Sequence, residues 1–305
     1  YQHGAMLDGT LAPSFFDYKR TGYDHMPLIM ASLGYVTASP DYIGYGVSAP
    51  LKHPFVHAQT LGSATVNMIL ASKQFSRSKH IKTNGQLFLM GYSEGGYATM
   101  ASHKLIDEVY PHQLKVTASA CGGGPYDVYE TTRHIAKLKE NVTPAAASFY
   151  ALLPLSYNQV YRLDRTLEMI YSGKNASLLA EDPTKFQDLS LNPADLFNPM
   201  FLTGLLTGTD SAFVKVVKDN DVYRWVASSP VFLFHELNDE IIPAANARTA
   251  YRFMKRNGGA VTLSLREETG HSEGLIPFTS ESVLFLRKFG SWKKAVKPLM
   301  RSDRH

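Results

Sequence analysis

From about residue 24 to residue 121, short apolar runs alternate with stretches of helical periodicity. The helical pattern covers His25 to Leu33, Ala58 to Phe75 and Gly96 to Tyr110, and the apolar runs are Tyr35 to Ser39, Gln86 to Met90 and Lys115 to Ala120. Runs this short and continuous suit strands covered on both faces, and their alternation with helices predicts βαβ units in a mostly parallel sheet. After Gly122-Gly123-Gly124-Pro125 the rhythm stops. Residues 125 to 224 read as helices interrupted by Pro144, Pro154, Pro183, Pro193 and Pro199. Alternation returns with a strand at Val231 to His235, a helix at Ala244 to Asn257, a strand at Ala260 to Arg266 and a helix at Ser280 to Lys288. The expected organisation is an α/β core made of residues 1–124 and 225–305, carrying a helical cap inserted at 125–224. No repeat of domain-building length and no low-complexity segment occurs.

Composition narrows the class. The 305 residues, 44% apolar and 19% charged, suit a packed globular enzyme. Lys and Arg exceed Asp and Glu by 31 to 27, a net +4, and much of that excess lies in Lys293, Lys294, Lys297, Arg301 and Arg304. With no nucleic-acid-binding motif beside it, that cluster is expected to be a solvated tail, and no nucleic-acid partner is expected. The single cysteine, Cys121, excludes an intramolecular disulfide, a redox pair and a Cys-rich zinc site. It follows the apolar run Val116 to Ala120, which suits a buried structural thiol. No run approaches the roughly 18 to 20 apolar residues of a spanning helix, so integral membrane association is not expected. The sequence opens at Tyr1 without an initiator Met, in what reads as a strand, so residues upstream are expected.

The strongest chemical signal is Gly91-Tyr92-Ser93-Glu94-Gly95-Gly96, set between the apolar run ending at Met90 and a helix-prone segment. A G-x-S-x-G sequence at a strand-to-helix junction is a nucleophile elbow, a tight turn that holds the serine in a strained conformation. The helix starting behind Ser93 aims its free amides at charge developing there. A serine hydroxyl is a weak nucleophile at neutral pH, so a base and a group orienting that base are required.

Both are found downstream. His271, in Glu268-Thr269-Gly270-His271-Ser272-Glu273-Gly274, follows the penultimate strand candidate and precedes the last helix. His103 and His112 lie in a helix and at its end, where solvated or capping roles are expected. Asp239 follows the strand Val231 to Phe234 and begins Asp239-Glu240-Ile241-Ile242-Pro243. A carboxylate at the carboxyl end of a parallel strand shares an edge with the elbow. Glu236 and Glu240 are rivals for the same role, and Asp239 could alternatively cap the following helix. The chain order Ser, Asp, His is the order this fold uses.

Two oxyanion donors are expected, the backbone amide of Glu94 and that of Ala5, which follows Tyr1-Gln2-His3-Gly4 at the end of an early strand. His3 is expected to shape that loop. In Asp41-Tyr42-Ile43-Gly44-Tyr45-Gly46-Val47-Ser48, Asp41 is expected to tie the backbone. Tyr45, together with Tyr92, is the candidate substrate-side residue. Within the cap, Ala145 to Leu155 and Phe197 to Leu206 are apolar enough to serve either as core or as an acyl-binding wall or lid. Asn141-Val142-Thr143 and Asn175-Ala176-Ser177 fit the glycosylation pattern, which is too common by chance to carry weight.

With these residues in view, the chain resembles the α/β-hydrolase superfamily and, within it, the secretory-lipase and lipase-A-like esterases. The closer resemblance rests on Tyr1-Gln2-His3-Gly4, on Asp41-Tyr42-Ile43-Gly44-Tyr45-Gly46 followed by His53-Pro54, on the Ser93 motif and on Gly124-Pro125-Tyr126-Asp127. It implies hydrolysis of a small-molecule acyl ester through an acyl-enzyme, no cofactor or metal, a cap inserted after the sixth strand, and a secreted or periplasmic protein. The first strands expected ahead of Tyr1 are missing, which points to a fragment. Two other functions share these features. A serine peptidase of the prolyl-oligopeptidase or aminopeptidase kind has the same fold and triad, although no obvious acidic pair for a substrate amine is visible. A catalytically silent binding protein is the other.

Overall fold

The computed structural model describes residues 1–17 and 25–291. The C-terminal basic cluster lies outside the described residues. In chain order the elements are α1 (Met26–Ser32), α2 (Ala58–Ser78), β1 (Phe88–Tyr92), α3 (Glu94–Val109) and β2 (Ala118–Gly122). The helices α4 (Val128–Lys137), α5 (Pro144–Val160), α6 (Leu167–Ile170), α7 (Gly173–Glu181), α8 (Pro193–Leu196), α9 (Pro199–Thr207) and α10 (Ser211–Asp219) follow. The chain then returns through β3 (Val231–Glu236), α11 (Ala245–Arg256), β4 (Val261–Arg266) and α12 (Leu275–Arg287).

The four strands pair in parallel in the order β1-β2-β3-β4, with Gly91 opposite Cys121, Gly122 opposite Phe234 and Phe234 opposite Ser264. This register aligns the carboxyl ends of the strands, so the loops leaving β1, β3 and β4 emerge along one edge. Gln2 bridges Gly91 in parallel and brings the Gly4-Ala5 turn to the same edge. The predicted strand Tyr35 to Ser39 is not a strand here, although the Tyr1 ammonium donates to the Ala38 carbonyl at 2.8 Å. β1 and β2 begin later and end later than their apolar runs suggest, and the ladder runs through Gly91 to pair Tyr92 with Gly122.

Side chains alternate across the sheet, as the two-residue period requires. Met90, Tyr92, Ala118, Ala120, Phe232 and Phe234 form one buried layer with Phe278, Phe285 and Leu286 of α12 and Met26 and Met30 of α1. Leu89 packs with Val66, Ile69 and Ile106 of α2 and α3 on the other side. Cys121 is fully buried, and it joins the largest cluster, which extends into the helices of 125–224. Those helices are fixed by their own caps: the Asp127 carboxylate accepts from the Glu130 amide at the start of α4, and the Thr143 hydroxyl accepts from the Ala146 amide at the start of α5. Phe197, Phe201, Leu202 and Leu205 are buried there, so the second apolar stretch serves as core. Asn175 is buried and its amide donates to Ser172, Ser190 and Asp195, which leaves its sequon closed to modification in the folded chain. No single helix among the described residues is long and apolar enough to cross a membrane.

Candidate active site

Ser93 stands between the last residue of β1 and the first of α3 with φ 60° and ψ −127°. A residue with a β-carbon rarely adopts such a backbone, and holding it there costs on the order of 1–3 kcal/mol. The surrounding glycines enforce it: a β-carbon on Gly95 would collide with the Gln2 carbonyl, and one on Gly91 with the Gly95 carbonyl. The Ser93 amide donates to the Gly122 carbonyl at 2.9 Å, tying the turn to the neighbouring strand.

His271 Nε2 lies 2.8 Å from Ser93 Oγ, and His271 Nδ1 lies 2.7 Å from Asp239 Oδ2. A carboxylate can only accept, so Nδ1 carries the proton and Nε2 is left to accept from the serine hydroxyl. The Asp239 carboxylate has two duties. Its Oδ1 accepts from the amides of Ile241 and Ile242 at 3.0 and 2.7 Å, so the turn-capping role and the His-orienting position coexist in one side chain. Its Oδ2 also faces His235 Nε2 at 3.2 Å. Burial pushes the Asp239 carboxyl up, but the hydrogen bonds from His235 and His271 outweigh it and hold it well below the usual carboxylate range.

Glu236 and Glu240 hold the loop rather than the ring. Glu240 Oε2 accepts from the His271 amide at 2.9 Å, and Glu236 Oε2 faces the Thr269 amide at 3.4 Å. His3 Nδ1 lies 2.7 Å from the Gly4 carbonyl and Nε2 3.2 Å from the Asp41 carbonyl, and burial, which pushes its pKa down, leaves one N–H to donate, on the turn that delivers Ala5. Asp41 Oδ1 accepts from the Ser14 amide at 2.8 Å.

Ala5, Ser93 and Glu94 line a common cavity of about 50 Å³. Glu94 opens α3, so its amide is among those a helix leaves without an internal acceptor. The remaining walls are Phe55 and Val56 from the loop before α2, Pro125, Val128, Thr131 and Ile135 at the start of the helical stretch, Phe149, Tyr150 and Leu153 of α5, and Ile241 and Ile242. The apolar stretch Ala145 to Leu155 therefore reaches the cavity, through Phe149, Tyr150 and Leu153.

Two expectations need correction. Neither Tyr92 nor Tyr45 lines this cavity. Tyr92 is buried, packs on Phe278 and donates its hydroxyl to the His271 carbonyl at 2.7 Å. Tyr45 is equally buried and donates to the Met6 carbonyl at 2.7 Å. Each hydroxyl, having left water, is satisfied by a backbone carbonyl, which fixes its ring away from the pocket. His103 is also corrected: it is not solvated but fully buried, between Ser119 Oγ at 2.9 Å and Ser229 Oγ at 3.0 Å.

Other cavity residues carry no signal in the sequence. The walls Val128, Thr131 and Ile135 share one face of α4, a spacing visible in the sequence that gives no sign of what it covers. In the sequence His235 is a strand end, and only the fold brings the Asp239 turn back onto it, with Asp239 Oδ2 3.2 Å from His235 Nε2.

A strained serine at a strand-to-helix turn, a histidine and an aspartate from later loops beside it, and a parallel sheet flanked by helices are the features of an α/β-hydrolase fold. Residues 15–169 match the family model of secretory lipases, and the chain belongs to that family. It is 25% identical over 228 residues to Lipase 9 of Candida albicans, an alignment covering 72% of this chain and 48% of that lipase. It is 23% identical over 275 residues to a secreted triacylglycerol lipase of Malassezia furfur, covering 86% and 53% respectively. The chain thus spans about half the length of these two lipases. Among solved structures it superposes on a putative hydrolase of Legionella pneumophila with a TM-score of 0.85 at 27% identity, covering 97% of this chain and 80% of that one. The rice cell wall degrading esterase LipA of Xanthomonas oryzae gives a TM-score of 0.72 at 22% identity, with 88% and 75% covered, a likeness of fold.

Proposed function

We propose that this chain hydrolyses carboxylic esters through an acyl-enzyme on Ser93. The observation that carries the reading is the unbroken chain of contacts from Ser93 Oγ through His271 to Asp239, 2.8 and 2.7 Å long, opening onto an apolar cavity. His271 Nε2 takes the Ser93 proton as Oγ adds to the ester carbonyl, and the amides of Glu94 and Ala5 receive the resulting oxyanion. Collapse breaks the ester C–O bond, with His271 returning the proton to the departing alcohol. Water, deprotonated by the same nitrogen, then adds to the acyl carbon, and collapse breaks the bond to Ser93 Oγ as His271 returns the proton to that oxygen, releasing the acid.

The wall composition favours an acyl group over a charged aminoacyl one, since Glu94 is the one ionisable side chain of the lining besides Tyr150. Membership of the secretory lipase family supports the same class of small-molecule substrate. Residues 125–224 act in this reading as a cap that supplies half of the acyl wall through α4 and α5. Labelling by a fluorophosphonate tests it directly: modification confined to Ser93, abolished in Ser93→Ala together with p-nitrophenyl ester turnover, is expected. Turnover that survives in Ser93→Ala would end the proposal.

A further inference from the structure

Glu94 contributes more than an amide. Its side chain is buried; Oε1 accepts from the Val56 amide at 2.9 Å and faces His53 Nε2 at 2.9 Å. His53 Nδ1 in turn lies 2.8 Å from the Ile43 carbonyl, which can only accept. Nδ1 therefore carries a proton, and one further proton lies between Nε2 and Oε1, so the contact is a buried imidazolium and carboxylate or their neutral equivalent. The second oxygen, Oε2, is buried without a partner. A carboxyl group half-satisfied in this way is costly to bury, and nothing in the elbow turn itself demands one.

What the carboxylate holds is unusual too. Val56 has φ 51°, a left-handed backbone that a β-branched residue strongly disfavours. The turn is clamped from both sides: Glu94 takes its amide, and the Tyr157 hydroxyl of α5 donates to its carbonyl at 2.8 Å. Phe55 and Val56 are walls of the cavity, and the Phe55 ring stacks on Phe149 of α5 at 5.9 Å.

We infer that the Glu94 carboxylate, held by His53, is a positioning group that fixes the Phe55–Val56 wall relative to the Glu94 amide receiving the oxyanion. One residue thus joins the two surfaces between which an acyl carbonyl must sit. Displacing such a surface by about an ångström costs roughly a hundredfold in rate. The inference rests on Ser93 being the nucleophile.

The test is a cycle of Glu94→Ala, Glu94→Gln, His53→Gln and the Glu94→Gln/His53→Gln double variant. Turnover of p-nitrophenyl esters of two acyl lengths is measured per fluorophosphonate-titrated site, alongside thermal unfolding. Glu94→Ala is expected to lose about a hundredfold in kcat with a smaller change in KM, and to alter the ratio between the two esters. The double variant, whose amides can bond each other and the Val56 amide, is expected to recover to within about tenfold of the parent. Should Glu94→Ala fail to fold, the two Gln single variants and their double carry the comparison. A lowered unfolding temperature with kcat per titrated site and the acyl ratio unchanged in all variants would overturn the inference and leave a purely structural pair. Absence of labelling in the parent would instead defeat the nucleophile assignment.

Discussion

The helix α3 carries two assemblies of serine, histidine and aspartate. At its N-terminus Ser93 meets His271 and Asp239; further along, His103 sits between Ser119 and Ser229, with Asp107 Oδ2 3.6 Å from Nε2. The residue types are the same and the serine contacts are of similar length, but the inner aspartate stands farther from its ring than Asp239 does from His271, 3.6 against 2.7 Å. The surroundings differ. Ser93 is strained, partly exposed, and shares a cavity with Ala5 and the first residue of the helix. Ser119 lies in the middle of β2 at 0% exposure with its amide spent on the Pro230 carbonyl, and His103, also at 0%, packs against Trp225. With His103 and Ser119 both sealed from solvent, the inner assembly offers a substrate no way in. The proposed ester chemistry therefore belongs to the edge, and the inner group satisfies polar atoms that the sheet has taken out of water.

Paired substitutions of the two histidines give the largest expected contrast. His271→Ala should lower kcat for a p-nitrophenyl ester by about a millionfold with little change in folding stability. His103→Ala should leave kcat within about threefold and lower unfolding free energy by about 2–4 kcal/mol, since it leaves two buried hydroxyls and a void. Stopped assays and urea titrations on both proteins decide the matter. Comparable activity losses would mean the inner assembly shapes the outer one.

The aspartates come next. Asp239→Asn should cost about ten thousandfold in kcat, because an amide facing Nδ1 no longer fixes the proton there. Asp107→Asn should cost less than about tenfold, as Asp107 mainly accepts from the Ser228 amide and hydroxyl at 2.9 and 2.8 Å. Equal sensitivity in the two variants would erase the distinction.

Much of this contrast could be read in the sequence, and the unread part has a physical reason. Ser93 was legible because glycine at 91, 95 and 96 answers to a backbone collision, and such requirements are local. His271 and Asp239 were legible from strand order, since every loop leaving a parallel sheet in one direction meets the same edge. Tyr92 and Tyr45 misled because an aromatic near a motif gives no direction, and burial turned each hydroxyl onto a carbonyl. His103 misled similarly: a lone histidine among helical residues carries no mark of the strand packed above it. The Tyr35 to Ser39 run has strand propensity in Tyr35, Val36 and Thr37, yet propensity does not supply a pairing neighbour. Contacts such as His53 with Glu94 join positions far apart in sequence, and only the assembled sheet brings them together.

A smaller effect separates the assemblies by pH. Burial holds the His103 imidazole down at about 4, against the pull of Asp107 and below its ordinary 6.5. Between those values the unfolded chain binds a proton that the folded chain refuses, so this group removes stability as pH falls from the upper value towards the lower. Replacing His103 by Gln abolishes that uptake, and the difference in unfolding free energy between parent and His103→Gln should therefore shrink on acidification through this window. A difference that stays constant in urea titrations across it would show that the folded state accepts the proton. Asp239 also loses its stabilising contribution in acid, because its folded carboxyl is held below the unfolded value, but that loss is common to both proteins and cancels in the difference.

The finest test concerns Tyr92, which touches the edge assembly without facing its cavity. The Tyr92→Phe variant keeps the packing on Phe278 and deletes one hydrogen bond to the His271 carbonyl, worth about 1 kcal/mol. If that bond only steadies the loop, its absence leaves substrate binding alone and relaxes the alignment of Nε2 with Ser93 Oγ. The expected result is a fall of about fivefold in kcat with KM unchanged, the size of one such bond lost at the transition state. A raised KM at constant kcat would have the opposite meaning. It would place the hydroxyl against bound substrate, and the edge assembly would then include a wall that the apolar cavity does not contain.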